Sequence, residues 1–234
     1  MVKSELIARS PVRIFEKSIH GGLKSGEVGL IVSSSGIGKT SVLVQIALDK
    51  LLQNRKIIHV SFTQNTGYVL AWYEDIFDEF VNRKNLENAQ EIRNEVTKNR
   101  VLMNFNQDGV TGDQVLKSLR AMILEGGFKA ESIIVDGFDF NRMDRSRLEN
   151  IKNAAKELNL EIWYSCTVKG EGPLWDKQGI PFIIKDYADL VDVIILLDPK
   201  SDHIELTVSK DRSSVKLESM AMRLDPKTLL ILEG

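Results

Sequence analysis

The sequence predicts an α/β fold built on a mostly parallel sheet. Short apolar runs alternate with segments whose apolar residues recur at helical spacing, which is the order expected of βαβ units. Near the C-terminus, three strand-like segments follow one another with no helical segment between them, and these are predicted to be antiparallel strands that extend the sheet. No low-complexity linker or internal repeat interrupts the chain, so we expect a single domain over residues 1–234.

The individual elements follow from periodicity and from their boundaries. Strands are predicted from apolar runs at 28–33, 56–62, 101–105, 131–136, 161–167, 191–197, 204–210, 215–224 and 228–232. Helices are predicted at 39–52, 69–81, 86–99 and 145–158, with a further helix from an N-cap at Thr111 to about Glu125. Gly126 and Gly127 are typical of a helix end. Residues 170–181 are rich in glycine and proline and are predicted to form a loop.

The composition narrows the class of protein. Hydrophobic residues make up 43% and charged residues 27%, as in ordinary globular proteins, and no apolar run reaches the roughly 18 residues needed to cross a bilayer. We therefore expect no membrane insertion, and because residues 1–17 contain no signal-peptide core, we expect a cytoplasmic protein. The net charge of −2 argues against nucleic-acid binding as the main activity. The single cysteine, Cys166, lies in an apolar run and is expected to be buried.

A phosphate-binding loop is predicted between the first strand and the helix that follows it. Its residues are Ser33, Ser34, Ser35, Gly36, Ile37, Gly38, Lys39 and Thr40, with Ser41 next in the helix. Small residues let successive backbone N–H groups turn toward phosphate oxygens, and the helix N-terminus adds a partial positive charge. Lys39 is expected to contact the β- and γ-phosphates, and the Thr40 hydroxyl is expected to bind Mg²⁺. The predicted cofactors are therefore ATP and Mg²⁺.

One position departs from the usual phosphate-loop pattern, which begins with glycine. Ser33 occupies that position, and a serine fits there if its φ angle stays negative.

Asp136 is the predicted second magnesium residue. It ends the apolar run of residues 133–135, and a carboxylate at the carboxyl end of a central strand can hold Mg²⁺ through water. The alternative is a turn aspartate before Gly137. Gly137 also stands where some phosphate-loop ATPases have a catalytic glutamate, so that kind of base is absent.

Residues 21–28, Gly-Gly-Leu-Lys-Ser-Gly-Glu-Val, resemble the entry to the ATPase core of the RecA superfamily, in the branch that contains KaiC, RadA and the DnaB-type helicases. The resemblance extends over residues 18–212 and includes the phosphate loop, Asp136, residues 187–189 and residues 210–212. It implies a RecA-like P-loop NTPase fold, with a mostly parallel central sheet, helices on both faces and C-terminal antiparallel strands.

The resemblance also implies a role in trans for two cations. In these families the nucleotide lies between subunits of a ring or filament, and a Lys-x-Arg pair contacts the neighbour's γ-phosphate. Lys210 and Arg212 match that pair, and a cation supplied in this way would stabilise the transferred phosphoryl group. A strand-end arginine is expected to bury little. The alternative is a pair of solvated charges.

The water-activating carboxylate of the family is missing. It follows the second strand, where this chain has Ser-Phe-Thr-Gln-Asn at 61–65, and no acidic residue occurs between Arg55 and Tyr73. Gln64 can orient a water molecule but cannot accept its proton, and loss of a positioned base typically costs about 10²–10⁴ in rate. We therefore expect ATP binding with weak or no hydrolysis.

Three functions remain open on these residues. The first is an ATP-dependent regulatory or scaffold subunit that forms a homo-oligomer or binds a partner protein. The second is an active ATPase that takes its base from elsewhere, either from Glu74 or Asp75 on the following helix or from a neighbouring subunit. The third is a DNA recombinase or helicase core that stacks bases on Trp175 between Lys169 and Lys177. Acidic neighbours offset those two lysines, so nucleic acid is not the favoured partner.

Overall fold

A nine-stranded sheet runs through the described residues of the computed structural model, which are 3–8, 10–62, 65–84, 87–170 and 172–233. The strands are β1 (Val28–Ser33), β2 (Ile57–Ser61), β3 (Arg100–Asn104), β4 (Ser132–Asp136), β5 (Glu161–Thr167), β6 (Val193–Pro199), β7 (Ile204–Asp211), β8 (Ser214–Leu224) and β9 (Ile231–Glu233).

The sheet order is β3-β2-β4-β5-β1-β6-β7-β8-β9. The strands from β3 to β6 in this order pair in parallel, and β7, β8 and β9 are added by antiparallel pairing. The predicted parallel sheet with a C-terminal antiparallel extension is therefore confirmed. Ser33 lies opposite Thr167, and Ser61 lies opposite Asp136. These residues mark the carboxyl edge of the sheet, and the opposite end of the parallel strands is called the amino edge.

Helices cover both faces of the sheet, as predicted. They are α1 (Lys3–Ala8), α2 (Pro11–Ser18), α3 (Lys39–Leu52), α4 (Thr66–Lys84), α5 (Ala89–Lys98), α6 (Gly112–Arg120) and α7 (Arg145–Glu157). One apolar core contains residues of α1 to α5, and the other lies under α6, α7 and a 3₁₀ segment at Phe182–Leu190. Among the described residues, no helix combines the length and apolar character needed to cross a membrane.

The N-terminal helices α1 and α2 were not predicted. The hydroxyl of Ser10 caps α2 by accepting a hydrogen bond from the N–H of Val12, and Pro11 occupies the first turn. Val12 and Phe15 are buried in the core that contains α3. The segment is therefore held mainly by tertiary packing. It was missed because charged residues lie between the few apolar residues of such a short helix.

Side chains of α4 and β5 are buried in the two cores, and for Cys166 this confirms the expectation. Tyr73 and Phe77 of α4 are buried, and Trp72 and Phe80 pack partly buried against the same core. Cys166 is fully buried, and burial raises the pKa of its thiol to about 12.

Candidate phosphate-binding site

The predicted phosphate loop connects the carboxyl end of β1 to the first turn of α3. Gly36 has a φ of 80° and Gly38 a φ of 102°, in the left-handed region where side chains other than glycine are strained. A Cβ atom on Gly38 would lie 2.5 Å from Cδ2 of Leu224, so close packing by the end of β8 also excludes a side chain there. Ser33 has a negative φ, as a serine in the first position requires.

The backbone N–H groups of residues 35–41 have no acceptor among the described residues. Gly38 is the N-cap of α3 and provides no side-chain hydrogen bond, so the first turn of this helix is uncapped. A run of free donors at the start of a 14-residue helix is a favourable environment for an anion.

Lys39 lies over this backbone. Its Nζ atom donates hydrogen bonds to the carbonyl oxygens of Ser33 at 3.2 Å and Ser34 at 2.7 Å. The residue is only 7% exposed, and burial lowers the pKa of its ammonium, while nearby Cys166 and Asp136 act in the opposite direction. An anionic ligand would compensate this buried charge.

Thr40, in the first turn of α3, meets Asp136, at the end of β4, although β5 lies between β1 and β4 in the sheet. The Thr40 hydroxyl donates a hydrogen bond to Oδ2 of Asp136 at 2.9 Å. Asp136 is buried, so a hydroxyl and a carboxylate face each other beside the phosphate loop. Oxygen ligands of this kind suit Mg²⁺.

The C-terminal strands are fastened to the same helix. The Ser41 hydroxyl donates to the carbonyl oxygen of Leu229 at 2.5 Å, and Nε2 of Gln45 donates to the same oxygen at 2.9 Å. Oε1 of Gln45 accepts from the N–H of Ile231 at 2.8 Å. Sequence reasoning assigned no role to Gln45. The sequence feature that could have identified Gln45 is its position four residues after Ser41, on the same face of a mainly apolar helix.

The segment after β2 turns toward Asp136, because the N–H of Phe62 donates to the Asp136 carbonyl oxygen at 2.9 Å. Gln64, the predicted water-positioning residue, lies outside the described residues. Gly137 has a φ of 77° and donates its N–H to the Ser165 hydroxyl at 2.9 Å. Glu74, an alternative base, forms an ion pair with Arg93.

Lys210 and Arg212 lie at the amino edge, away from the phosphate loop. Asp211 pairs with Val193 at the start of β6, and the N–H of Arg212 donates to the Asp192 carbonyl oxygen. Because β1 is six residues long, about 20 Å separates this edge from the carboxyl edge. Neither cation can reach the phosphate loop of its own chain, and their role in trans stays a prediction.

Arg212 forms a clamp with residues that precede β1. Its guanidinium donates to both carboxylate oxygens of Glu27, at 2.9 and 2.8 Å, and to the carbonyl oxygens of Ile19 at 3.1 Å and Gly22 at 2.8 Å. The expectation that this arginine buries little is wrong, because its side chain is 24% exposed and held by these four acceptors. Its φ of 56° is left-handed. Only the folded chain brings Glu27 and Arg212 together.

Lys210 is also held within its own chain. It is 7% exposed, and its Nζ atom donates to the carbonyl oxygens of Ala188, at 2.6 Å, and Val191. Ala188 lies in the last turn of the 3₁₀ segment and Val191 directly follows it, so Lys210 ties the end of β7 to the chain that leads into β6.

The loop proposed for DNA stacking is folded back on the chain. Trp175 forms a β-bridge with Pro181 and packs partly buried against the core under α6 and α7. The Asp176 carboxylate accepts hydrogen bonds from the N–H groups of Gln178 at 2.9 Å and Ile180 at 3.0 Å. A ring fixed in this way has less surface available for stacking on a base.

A scan against protein-family models finds no match to the chain, and a search of the curated proteins finds none either. The resemblance to the RecA superfamily therefore rests on the motif residues themselves and stays a prediction.

We expect Arg212→Ala to lower the free energy of unfolding by about 2–4 kcal/mol, because it leaves Glu27 without its bidentate partner and removes two bonds to carbonyl oxygens. Urea denaturation followed by circular dichroism measures the loss. Arg223→Ala removes an exposed arginine from β8 and should cost less than about 0.5 kcal/mol. Equal stability of the two variants would contradict the clamp.

Proposed function

We propose that this chain binds ATP together with Mg²⁺ at the phosphate loop and acts as a nucleotide-dependent regulatory or scaffold subunit. The observation that carries this proposal is the run of N–H groups at residues 35–41 without acceptors, beside the buried ammonium of Lys39. Several donors without acceptors in one loop, with a cation next to them, match the charge and the oxygen acceptors of a polyphosphate better than those of any neutral ligand.

The residues for Mg²⁺ fit the same proposal. Thr40 supplies a hydroxyl in the first turn of α3, and Asp136 supplies a carboxylate at hydrogen-bonding distance from it. Bound Mg²⁺ would neutralise charge on the phosphates. In this proposal the Thr40 hydroxyl binds the ion directly and Asp136 holds it through water.

The choice of ATP and the regulatory role rest on the resemblance of residues 21–28 and 33–40 to the RecA superfamily. Slow turnover is part of the proposal, because Thr63 and Gln64 replace the acidic residues of that family and Glu74 already has a partner in Arg93. Under these conditions bound ATP stabilises the conformation that binds it rather than being consumed.

Self-assembly is the remaining part of the proposal. Lys210 and Arg212 lie at the opposite edge of the sheet from the phosphate loop. If one chain's amino edge met the next chain's carboxyl edge, the contact would be heterologous and would generate a ring or filament.

Lys39→Ala should weaken Mg-ATP binding by about 100-fold, since it removes the side-chain cation from the phosphate loop. Isothermal titration calorimetry of wild type and variant measures the difference. Lys216→Ala, which removes an exposed lysine of β8, should bind as wild type does. Equal affinity for ATP in wild type and Lys39→Ala would overturn the proposed function.

Steady-state hydrolysis should lie far below the range of about 1–10³ s⁻¹ that is usual for enzymes. Gln64→Glu should raise the rate, because it restores a carboxylate in the segment after β2. Asn65→Asp adds the same charge one residue further along and serves as the control for position. Phosphate release is the measurement. Fast turnover by wild type, lost in Lys39→Ala, would show an active ATPase with a different base.

Mg-ATP should increase the mass of the wild-type particle in multi-angle light scattering, and Lys39→Ala should show no such increase. The reason is linkage: a nucleotide that bridges two chains binds the assembly more tightly, so it must also promote assembly. A monomer with and without Mg-ATP at up to about 100 µM, a limit near −5.5 kcal/mol, would exclude self-assembly.

A further inference from the structure

An open cavity of about 580 Å³ lies between α6 and α7, next to the segments that follow β3 and β4. Its volume falls within the range of about 300–1,000 Å³ that is usual for sites that bind small molecules. None of residues 33–41 lines it, and neither does Asp136, so it is a separate site from the phosphate loop.

The floor of the cavity is aromatic and aliphatic. Phe62 and Phe138 line it with their ring centroids 5.3 Å apart and their planes at 70°, and Leu116 and Ile151 complete the apolar wall. The same four side chains also line a smaller cavity of about 60 Å³ that reaches core residues of β4 and β5. A floor of this kind favours a flat apolar group that can pack against the phenylalanine rings.

Most charges at the rim cancel within the chain. Arg142 pairs with Asp108, and Arg147 pairs with Asp144 at 3.3 Å. Asp113 also lines the cavity, and its carboxylate forms no hydrogen bond or ion pair with any described residue. An uncompensated carboxylate beside an apolar floor favours a cationic group in the occupant.

We propose that this cavity binds a small arylalkyl amine, with its ring against Phe62 and Phe138 and its ammonium group toward Asp113. The proposal is independent of ATP binding, because every residue that carries it lies outside the phosphate loop. The proposal predicts that a cationic aromatic molecule binds more tightly than a neutral or an acidic one with the same ring system. Probes that share a ring and differ in charge therefore test it.

Tryptamine, indole and indole-3-acetate share one ring system and differ in charge. We expect calorimetry on the nucleotide-free protein at neutral pH to give a dissociation constant on the order of 100 µM for tryptamine. Indole should bind about fivefold more weakly than tryptamine, because it lacks the group that forms a partly exposed ion pair with Asp113. Indole-3-acetate should bind weakest, because its carboxylate would repel that of Asp113. Asp113→Asn should reduce tryptamine to the affinity of indole and leave indole unchanged.

Gly112→Leu is designed to fill the cavity. Gly112 lines both cavities, has no left-handed φ, and a Cβ atom there would have no atom within 4 Å. The variant should lose binding of tryptamine and indole by more than about tenfold. Gly109→Leu adds the same side chain outside the cavity, where the nearest atom is a backbone oxygen at 4.0 Å, and should bind as wild type does.

Thermal unfolding of each variant establishes that it is folded. The proposal is overturned if wild type binds neither tryptamine nor indole at millimolar concentration, if the three probes bind equally, or if Gly112→Leu binds as well as Gly109→Leu. Lys39→Ala should bind tryptamine normally, so failure of this proposal and failure of ATP binding give different results.

Discussion

The structure depends on the enclosure of α3. Every residue of this helix except Thr40 is buried, so the helix that begins at the phosphate loop is covered by the sheet on one side and by other segments on the rest of its surface. Its buried polar residues need partners, and Ser41, Gln45 and Asp49 recur at the spacing of one helical turn. Leu229 accepts from the first two, and Arg13 pairs with Asp49. Both ends of the described chain are thereby fixed to the phosphate-loop helix.

The two edges of the sheet carry different polar groups. Donors for an anion and the pair Thr40 and Asp136 lie at the carboxyl edge, and the clamp between Glu27 and Arg212 lies at the amino edge. The amino edge contains more buried charge, since Lys50 pairs with Glu161 at the start of β5 and both residues are nearly inaccessible. Paired charges of this kind stabilise one arrangement of the connecting segments because breaking either pair leaves a buried charge.

The strands and central helices could be predicted from the sequence because their apolar periodicity is strong. The short connection from β1 to α3 could also be predicted, since its glycine spacing, the strand before it and the helix after it are local features. The clamp could not, because Glu27 and Arg212 are 185 positions apart and become neighbours only through the pairing of β6 with β7. The π-helical turn at Ala121–Glu125 was likewise not predicted, because its backbone bonding differs from that of α6 without a change in apolar period.

If the loop binds ATP as we propose, the geometry beside Asp136 favours binding over turnover. Donors from residues 35–41 and from Lys39 would meet phosphate oxygens in the ground state as well as in the transition state, and such uniform interactions tighten binding without raising the catalytic rate. Acceleration would require a base aimed at a water molecule, and the residue after Asp136 is a glycine. The N–H of Gly137 is bonded to Ser165, and its carbonyl oxygen is bonded to Gln107. The backbone at this position is thus fixed by neutral partners, so the segment contributes rigidity around Asp136 but no acceptor for a proton.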